Sequence, residues 1–225
     1  MISLVDIKNS DSYTYRHSVN VGILALVLGI SYDLNKNDLY DLVMGSILHD
    51  IGKMFIPSEI LMKKGKLTPE EFRIIQEHPT RGFHYLKDYS NLSAKARIVV
   101  LQHQERIDGS GYPYGLKGDQ IYIFSKIAAV ADIYDALISD RIYRAGIKKE
   151  LVSNYLLENA GKTLSIPVVQ IFYNITSTID LESIFELAED AFEAGMYKRR
   201  KGNERNFNSY HISIGIVPNY ADYFP

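Results

Sequence analysis

The sequence predicts an all-α protein that folds as a helical bundle. Apolar residues recur three or four positions apart through most of the chain, which is the pattern of amphipathic helices packed on a shared core. Capping signals and loops rich in glycine and proline separate these segments. Hydrophobic residues make up 46% of the 225, so we expect one substantial core that needs no disulfides; the chain has no cysteine.

The first two helices are predicted near the N-terminus. Apolar residues recur at steps of four, four and three across residues 15–30, which places His17 in the first turn of a helix. A second helix is predicted over 37–52, because the glycine at its end lowers helix propensity. His49 and Asp50 are then expected near the C-terminal end of this second helix.

Local signals define the next segments. Thr68-Pro69-Glu70-Glu71 is a capping box with proline at the first helical position, and it predicts a helix that runs to residue 77 or 78. Pro79 disfavours helical geometry at His78 and has no N–H to donate. We therefore expect the chain to kink at His78 and to resume as a helix through residues 85 and 86.

The second half of the chain also reads as helices. A helix is predicted over 93–106, followed by an irregular loop over 108–115 that is rich in glycine, proline and tyrosine. Residues 122–138 predict a largely buried helix whose apolar surface is interrupted by Asp132 and Asp135. Further segments indicate helices over 148–160, 167–175 and 181–199, and a short strand over 211–217.

Charge and hydropathy exclude several classes of partner. Twenty-five basic and 27 acidic residues give a net charge of −2, so no overall field favours nucleic acid or an acidic membrane. The chain has no apolar run near the roughly 20 residues that span a bilayer, and no signal-type N-terminus. We expect a cytoplasmic protein that binds neither nucleic acid nor membrane.

Histidines and aspartates carry the chemistry that the sequence suggests. The adjacent imidazole and carboxylate of His49 and Asp50 can ligate one metal ion or bridge two. Four further candidate ligands lie on separate predicted helices, which a bundle can bring together: His17, His78, His103 and Asp132. One isolated histidine is more often a packed residue than a ligand, but this set favours a site for manganese, iron or zinc.

The motifs occur in a recognisable order over roughly residues 12–175: His17, His49-Asp50-Ile51-Gly52-Lys53, His78-Pro79, His103-Gln104-Glu105, Asp108-Gly109-Ser110-Gly111-Tyr112-Pro113 and Asp132-Ile133-Tyr134-Asp135-Ala136. This combination resembles the HD-GYP family of the HD metal-dependent phosphohydrolase superfamily. The resemblance implies an HD-type helical bundle that hydrolyses the bacterial signal cyclic di-GMP to the linear dinucleotide, to GMP, or to both. It further implies a site of two or three divalent ions, for which iron or manganese is expected, and an attacking water held between two of them.

The resemblance also assigns roles to single residues. The implied metal ligands are His17, His49, Asp50, His78, His103 and Asp132. Asp50 would bridge the ions, and Lys53, Arg141 and Arg144 would contact the phosphates, although ordinary solvated charges remain the alternative for these cations.

Tyr112 would shape the pocket or face a guanine base, or else belong to a stiff turn. Its loop is also credited in the family with binding diguanylate cyclase domains. Tyr134 and Asp135 would orient ligand histidines or make ordinary buried hydrogen bonds.

Two positions depart from the family pattern. Gln104 stands where the second histidine of the usual HHE motif is found, and a neutral amide oxygen is a poorer donor to transition metals than imidazole. Metal affinity at one site is therefore expected to fall. Tyr13 stands where three-metal members carry glutamate, so two metals are expected rather than three.

These departures keep several interpretations open. The first is an active phosphodiesterase, over residues 1–175. The second is a degenerate sensor that binds the dinucleotide without cleaving it, the third is a protein-interaction module, and a fourth keeps hydrolysis but changes the nucleotide. Residues 176–225 are expected to form a helix and a short strand, as a structural or homodimerisation element. The chain starts just before the motif helix, which suggests a piece of a longer regulatory protein.

Overall fold

The computed structural model describes residues 12–139, 146–181 and 183–185, with only the backbone described for 12–14. Helices dominate these residues, and their only β pairing is two isolated bridges. The predicted all-α class is confirmed. Most of the helix predicted over 181–199 and the whole strand predicted over 211–217 lie outside the described residues. Every described helix is too short or too polar to span a bilayer.

Nine α-helices and three short 3-10 segments lie wholly within the described residues, and residues 181 and 183–185 are also helical. The α-helices are α1 (Ser12–Ser31), α2 (Lys36–Ile47), α3 (Ser58–Leu61), α4 (Pro69–Ile75), α5 (His78–Tyr85), α6 (Ala94–Gln102), α7 (Ile123–Ile138), α8 (Lys149–Asn159) and α9 (Ile166–Thr176). The 3-10 segments are Ile51–Phe55, Leu86–Asp88 and Gly118–Gln120.

Local sequence signals predict several of these boundaries well. The capping box at the start of α4 is present: the Thr68 hydroxyl accepts the Glu71 N–H, and the Glu71 carboxylate accepts the Thr68 N–H. A helix break near Pro79 is confirmed, but it falls at residues 76 and 77 rather than at His78: α4 ends at Ile75, and α5 begins at His78 with Pro79 in its first turn. The buried helix predicted over 122–138 is α7.

Other predicted helix ends are wrong. The helix α1 begins at Ser12, so His17 lies in its second turn rather than its first. The helix α2 ends at Ile47 instead of running to residue 52, and α4 ends at Ile75 rather than at residue 77 or 78. The helix α6 ends at Gln102 instead of residue 106. The Val100 carbonyl oxygen accepts a hydrogen bond from His103 Nδ1, and the Glu105 N–H donates to the Gln102 carbonyl oxygen, three residues back rather than four.

The main core forms around α7, which packs against α1, α8 and α9. Tyr134 and Phe172 meet there with ring centroids 4.7 Å apart. Leu181 and Phe185, beyond the expected boundary at residue 175, join the same core. Burial of each such side chain contributes about 1.5–3 kcal/mol. A smaller cluster joins α1 to α6 through Tyr15, Val19, Ala96 and Val100.

Candidate metal centre

The six residues predicted as metal ligands come together in the interior. His17 lies on α1 and Asp132 on α7, while His78 is the first residue of α5. His49 and Asp50 follow the end of α2, and His103 caps the C-terminus of α6. None of the six is more than 7% exposed.

A close backbone contact explains why the His49-Asp50 turn can reach His78. A Cβ atom on Gly52 would lie 1.9 Å from the His78 carbonyl oxygen and 2.6 Å from the Gly82 nitrogen. Glycine is the one residue type that permits this approach. The glycine that the sequence interpretation placed at a helix end therefore serves to bring α5 against the 3-10 segment Ile51–Phe55.

Hydrogen bonds fix the orientation of all four imidazole rings. Three of them place Nδ1 against a main-chain carbonyl oxygen, at 2.6 Å for His49 with Ser46, 2.8 Å for His78 with Ile75 and 2.9 Å for His103 with Val100. A carbonyl oxygen only accepts, so each Nδ1 carries the hydrogen. In a neutral ring, Nε2 then has a free lone pair, and it faces the interior of the cluster.

His17 is oriented in the same sense by a carboxylate. Its Nδ1 lies 2.7 Å from Asp135 Oδ2, and Asp135 Oδ1 accepts a hydrogen bond of 2.8 Å from the Asn20 amide. Asp135 is fully buried, and its contact agrees with the orienting role considered from the sequence. Asn20 was missed, since an asparagine inside a helix gives no sequence signal of a partner 115 residues away. Tyr134, by contrast, packs in the main core.

The carboxylate of Asp50 divides the histidines into two pairs. Its Oδ2 lies 3.2 Å from His49 Nε2 and 4.0 Å from His17 Nε2. Its Oδ1 lies 3.3 Å from His78 Nε2 and 3.7 Å from His103 Nε2.

The Asp132 carboxylate joins the first pair. Its Oδ1 lies 3.2 Å from His17 Nε2 and 3.8 Å from His49 Nε2. One group of donor atoms thus contains two imidazoles and two carboxylates, and the other contains two imidazoles and one carboxylate.

This donor set fits divalent metal ions. Within the described residues, His49 Nε2 and Asp50 Oδ1 are buried and make no hydrogen bond. Three overlapping groups drawn from His17, His49, Asp50, His78, His103 and Asp132 each have their ligand atoms within 4.8 Å of one another. Buried acceptor atoms that face one another are unfavourable unless a cation lies among them.

The electrostatics keep the carboxylates ionised. Burial by itself would raise the pKa of Asp50, but the charges of His49 and Lys53 hold that pKa well below its ordinary value. Burial likewise opposes ionisation of Asp132, and the hydrogen bond with His17 lowers its pKa. Both groups are therefore available as anionic ligands at neutral pH.

The histidines are affected in two different ways. Burial lowers the pKa of His78 and of His103, which keeps these rings neutral and able to bind a metal. Burial also acts to lower the pKa of His17, but hydrogen bonds with Asp132 and Asp135 outweigh it and raise that pKa to about 9. A metal ion at His17 therefore has to displace a proton.

Two further predicted residues border the cluster. Lys53 is 3% exposed and donates a hydrogen bond to Asp50 Oδ2. The Tyr112 ring lies against His78, with centroids 6.1 Å apart, and against Phe72 at 6.2 Å. Arg141 and Arg144, and the side chain of Tyr13, lie outside the described residues.

Glu105 holds the loop that carries Tyr112. Its carboxylate oxygens accept the main-chain N–H of Tyr114 at 2.8 Å and of Leu116 at 2.9 Å, and its side chain is buried. The main-chain N–H of Tyr112 donates to the Gln104 carbonyl oxygen at 3.2 Å. Sequence reasoning gave Glu105 no role. The sequence does hold a signal for this role. Glu105 is an acidic residue shortly before a glycine-rich loop, and the main-chain N–H groups of such a loop need acceptors.

Comparisons with known proteins identify a family and several relatives of the chain. A model of the HD domain matches residues 2–164. A cyclic di-GMP phosphodiesterase of Pseudomonas aeruginosa is 45% identical over 146 residues, which are 65% of this chain and 35% of that protein. Another, from Borreliella burgdorferi, is 36% identical over 82% of this chain and 48% of its own length. The chain thus spans half or less of either relative.

The fold also resembles a solved structure. The crystal structure of a cyclic GMP-AMP specific phosphodiesterase from Vibrio cholerae superposes with a TM-score of 0.64 at 16% identity. That match covers 85% of this chain and 52% of the other.

Proposed function

The chain belongs to the HD domain family, and on that premise we propose that it is a metal-dependent phosphodiesterase that hydrolyses cyclic di-GMP. The observation that supports this most is the inward orientation of four imidazole Nε2 atoms around two buried carboxylates. The names of the relatives from Pseudomonas and Borreliella support the substrate. We propose the linear dinucleotide, GMP, or both as products.

We propose two metal subsites that share Asp50. The first subsite would consist of His17, His49, Asp132 and Asp50 Oδ2, and the second of His78, His103 and Asp50 Oδ1. Nitrogen-rich donors of this kind favour iron or manganese over magnesium. Bound divalent ions would lower the pKa of a water and neutralise charge on the phosphoryl oxygens.

The surrounding residues would orient the ligands and the substrate. Asp135 fixes the His17 ring so that its Nε2 faces the first subsite. Lys53 is buried beside Asp50, where its ammonium can contact a phosphate oxygen once a metal takes over the charge of that carboxylate. Tyr112 lies at the edge of His78, where its ring can face a base or a ribose. Arg141 and Arg144 remain proposed phosphate contacts.

Product analysis tests this proposal. The chain, stripped with a chelator and reloaded with Mn²⁺ or with Fe²⁺ under nitrogen, should convert cyclic di-GMP to a linear product. Asp50→Asn should be inactive, because it removes the charge shared by both subsites. Asp38→Asn, in the first turn of α2 where the carboxylate is partly exposed and paired with Lys95, should retain wild-type turnover. Absence of product with every metal would reject the proposal.

A second candidate is a sensor that binds the dinucleotide without cleaving it. Gln104 favours this alternative, because it replaces the second histidine of the family's HHE motif with an amide, whose oxygen is a poorer donor to a transition metal than imidazole. Binding of cyclic di-GMP measured by calorimetry, together with the absence of product, would support the sensor.

The loop over residues 108–115 is the proposed contact for a protein partner. We propose that a diguanylate cyclase domain would contact the chain at Tyr114, which is 61% exposed on this loop.

A further inference from the structure

We infer that Gln104 is a positioning residue for Asp132 rather than a metal ligand, and that the two subsites therefore differ in metal affinity. This inference rests on the two-subsite arrangement of the proposed function. Gln104 is the motif position at which this chain has a glutamine where the family pattern has a ligand histidine. The inference assigns that glutamine the role of a hydrogen-bond donor.

The contact between the two side chains carries the inference. Gln104 is 2% exposed, and its Nε2 donates to Asp132 Oδ2 at 3.3 Å. A carboxylate oxygen can only accept, so the amide nitrogen is the atom that faces Asp132. An amide nitrogen offers no lone pair to a metal, so this end of the side chain acts as a hydrogen-bond donor.

The contact decides which oxygen of Asp132 faces the histidines. With Oδ2 engaged by Gln104, Oδ1 is the oxygen that lies 3.2 Å from His17 Nε2. Asp132 is thereby oriented to bind a metal ion through Oδ1 alone. Hydrogen bonds of this kind orient ligands, and their loss typically lowers metal affinity by about 10- to 100-fold.

The main chain restrains Gln104 from moving elsewhere. Its carbonyl oxygen accepts the Tyr112 N–H at 3.2 Å. A Cβ atom on Gly111 would lie 2.5 Å from the same carbonyl oxygen, so the loop lies directly on this segment. The backbone of Gln104, from which the side-chain amide extends toward Asp132, is therefore held by the fold of the loop.

The consequence is an unequal pair of subsites. The first would have four protein ligands and an oriented carboxylate, whereas the second would have His78, His103 and Asp50 Oδ1 alone. Fewer and less charged donors bind a divalent ion more weakly. The wild-type chain should then bind one metal ion tightly and a second one weakly. The weaker affinity sets the metal concentration at which both subsites are occupied.

Titration of the stripped full chain with Mn²⁺ or Co²⁺, followed by calorimetry and by the Co²⁺ absorption spectrum, tests this inference without nucleotide. Asp132→Asn should assign the tight event and His78→Ala the weak one. Gln104→Leu, similar in volume but without the amide, should weaken the tight event about 10- to 100-fold and leave the weak event unchanged. Gln104→His should strengthen the weak event.

Other results would overturn the inference. If Gln104→Leu weakens only the weak event, Gln104 is a ligand of the second subsite. If the wild-type chain binds two metal ions with equal affinity, or binds only one ion, the inferred difference in affinity between the subsites is wrong. Circular dichroism of each variant separates these results from unfolding. Unequal events in a chain that never hydrolyses cyclic di-GMP would reject the proposed catalysis while leaving the role of Gln104 intact.

Discussion

The Nε2 atoms of His78 and His103 lie 3.1 Å apart while the Nδ1 atom of each ring is committed to a main-chain carbonyl oxygen. Burial lowers the pKa of both rings, which favours the neutral form. Two neutral rings held in this way direct lone pairs at each other, and Asp50 Oδ1 lies 3.3 Å from the first of them. A divalent cation satisfies all three atoms at once.

Metal binding should therefore stabilise the fold. Mn²⁺ at about 100 times its dissociation constant is expected to add about 2.7 kcal/mol to the free energy of unfolding, because the unfolded chain lacks the site. The melting temperature of the stripped chain with and without Mn²⁺ measures this effect. His103→Ala should reduce the shift, while His84→Ala, at an exposed histidine of α5, should preserve it. A shift that is equal in both variants would place the metal elsewhere.

Lys53 should matter most in the metal-free protein. Its ammonium is the cation hydrogen-bonded to buried Asp50, so Lys53→Met leaves a buried charge without its partner and should reduce the free energy of unfolding by about 3–5 kcal/mol. Urea denaturation in chelator measures the loss.

A matched control is the ion pair between Lys63 and Glu71 of α4. Lys63 pairs with Glu71 where both side chains are partly exposed, at 32% and 26%. Lys63→Met should therefore change stability by no more than about 1 kcal/mol. Equal effects of the two substitutions would show that burial of the Lys53 pair has no energetic importance.

Glu105 should control the loop more than the metal. Glu105→Gln replaces one accepting oxygen with an NH₂ group, which leaves the N–H of Tyr114 or Leu116 facing a donor and costs about 1–3 kcal/mol. We expect KM for cyclic di-GMP to rise while bound metal stays at the wild-type level. The control is Glu77→Gln, in an exposed pair with Arg81. Loss of metal with unchanged KM would contradict the positioning role.

The raised pKa of His17 predicts that the stability of the metal-free chain depends on pH. Its folded pKa of about 9 lies above the ordinary value of 6.5, so its contribution to stability is complete below pH 6.5 and is lost as the pH rises through 9. Denaturation midpoints in chelator should fall across this range, and His17→Asn should flatten the fall. Metal affinity should move in the opposite direction, since a proton no longer competes. A wild-type midpoint that rises over this interval would contradict the assignment.

Local chemistry made part of the structure predictable. The capping box at Thr68 and the helix break near Pro79 depend on neighbouring residues, so both could be predicted from the sequence. The end of α2 was not, because Gly52 serves a contact with the His78 backbone 26 residues away.

The site divides in the same way. The ligand residues were predicted from residue type and motif order, whereas the bond of Gln104 to Asp132, 28 residues apart, depends on how α6 and α7 pack. Glu105 was overlooked for the same reason, since its partners lie nine and eleven residues further along a loop without periodicity.

The most direct test counts metal and product in the same sample. The wild-type chain, loaded with Fe²⁺ or Mn²⁺ under nitrogen, would be assayed for bound metal and for conversion of cyclic di-GMP beside Gln104→His. We predict a linear product from the wild-type chain, with occupancy of the second subsite that rises in the variant. Product from Gln104→His alone, with the wild-type chain binding but never cleaving the dinucleotide, would contradict the phosphodiesterase assignment and identify the natural chain as a sensor.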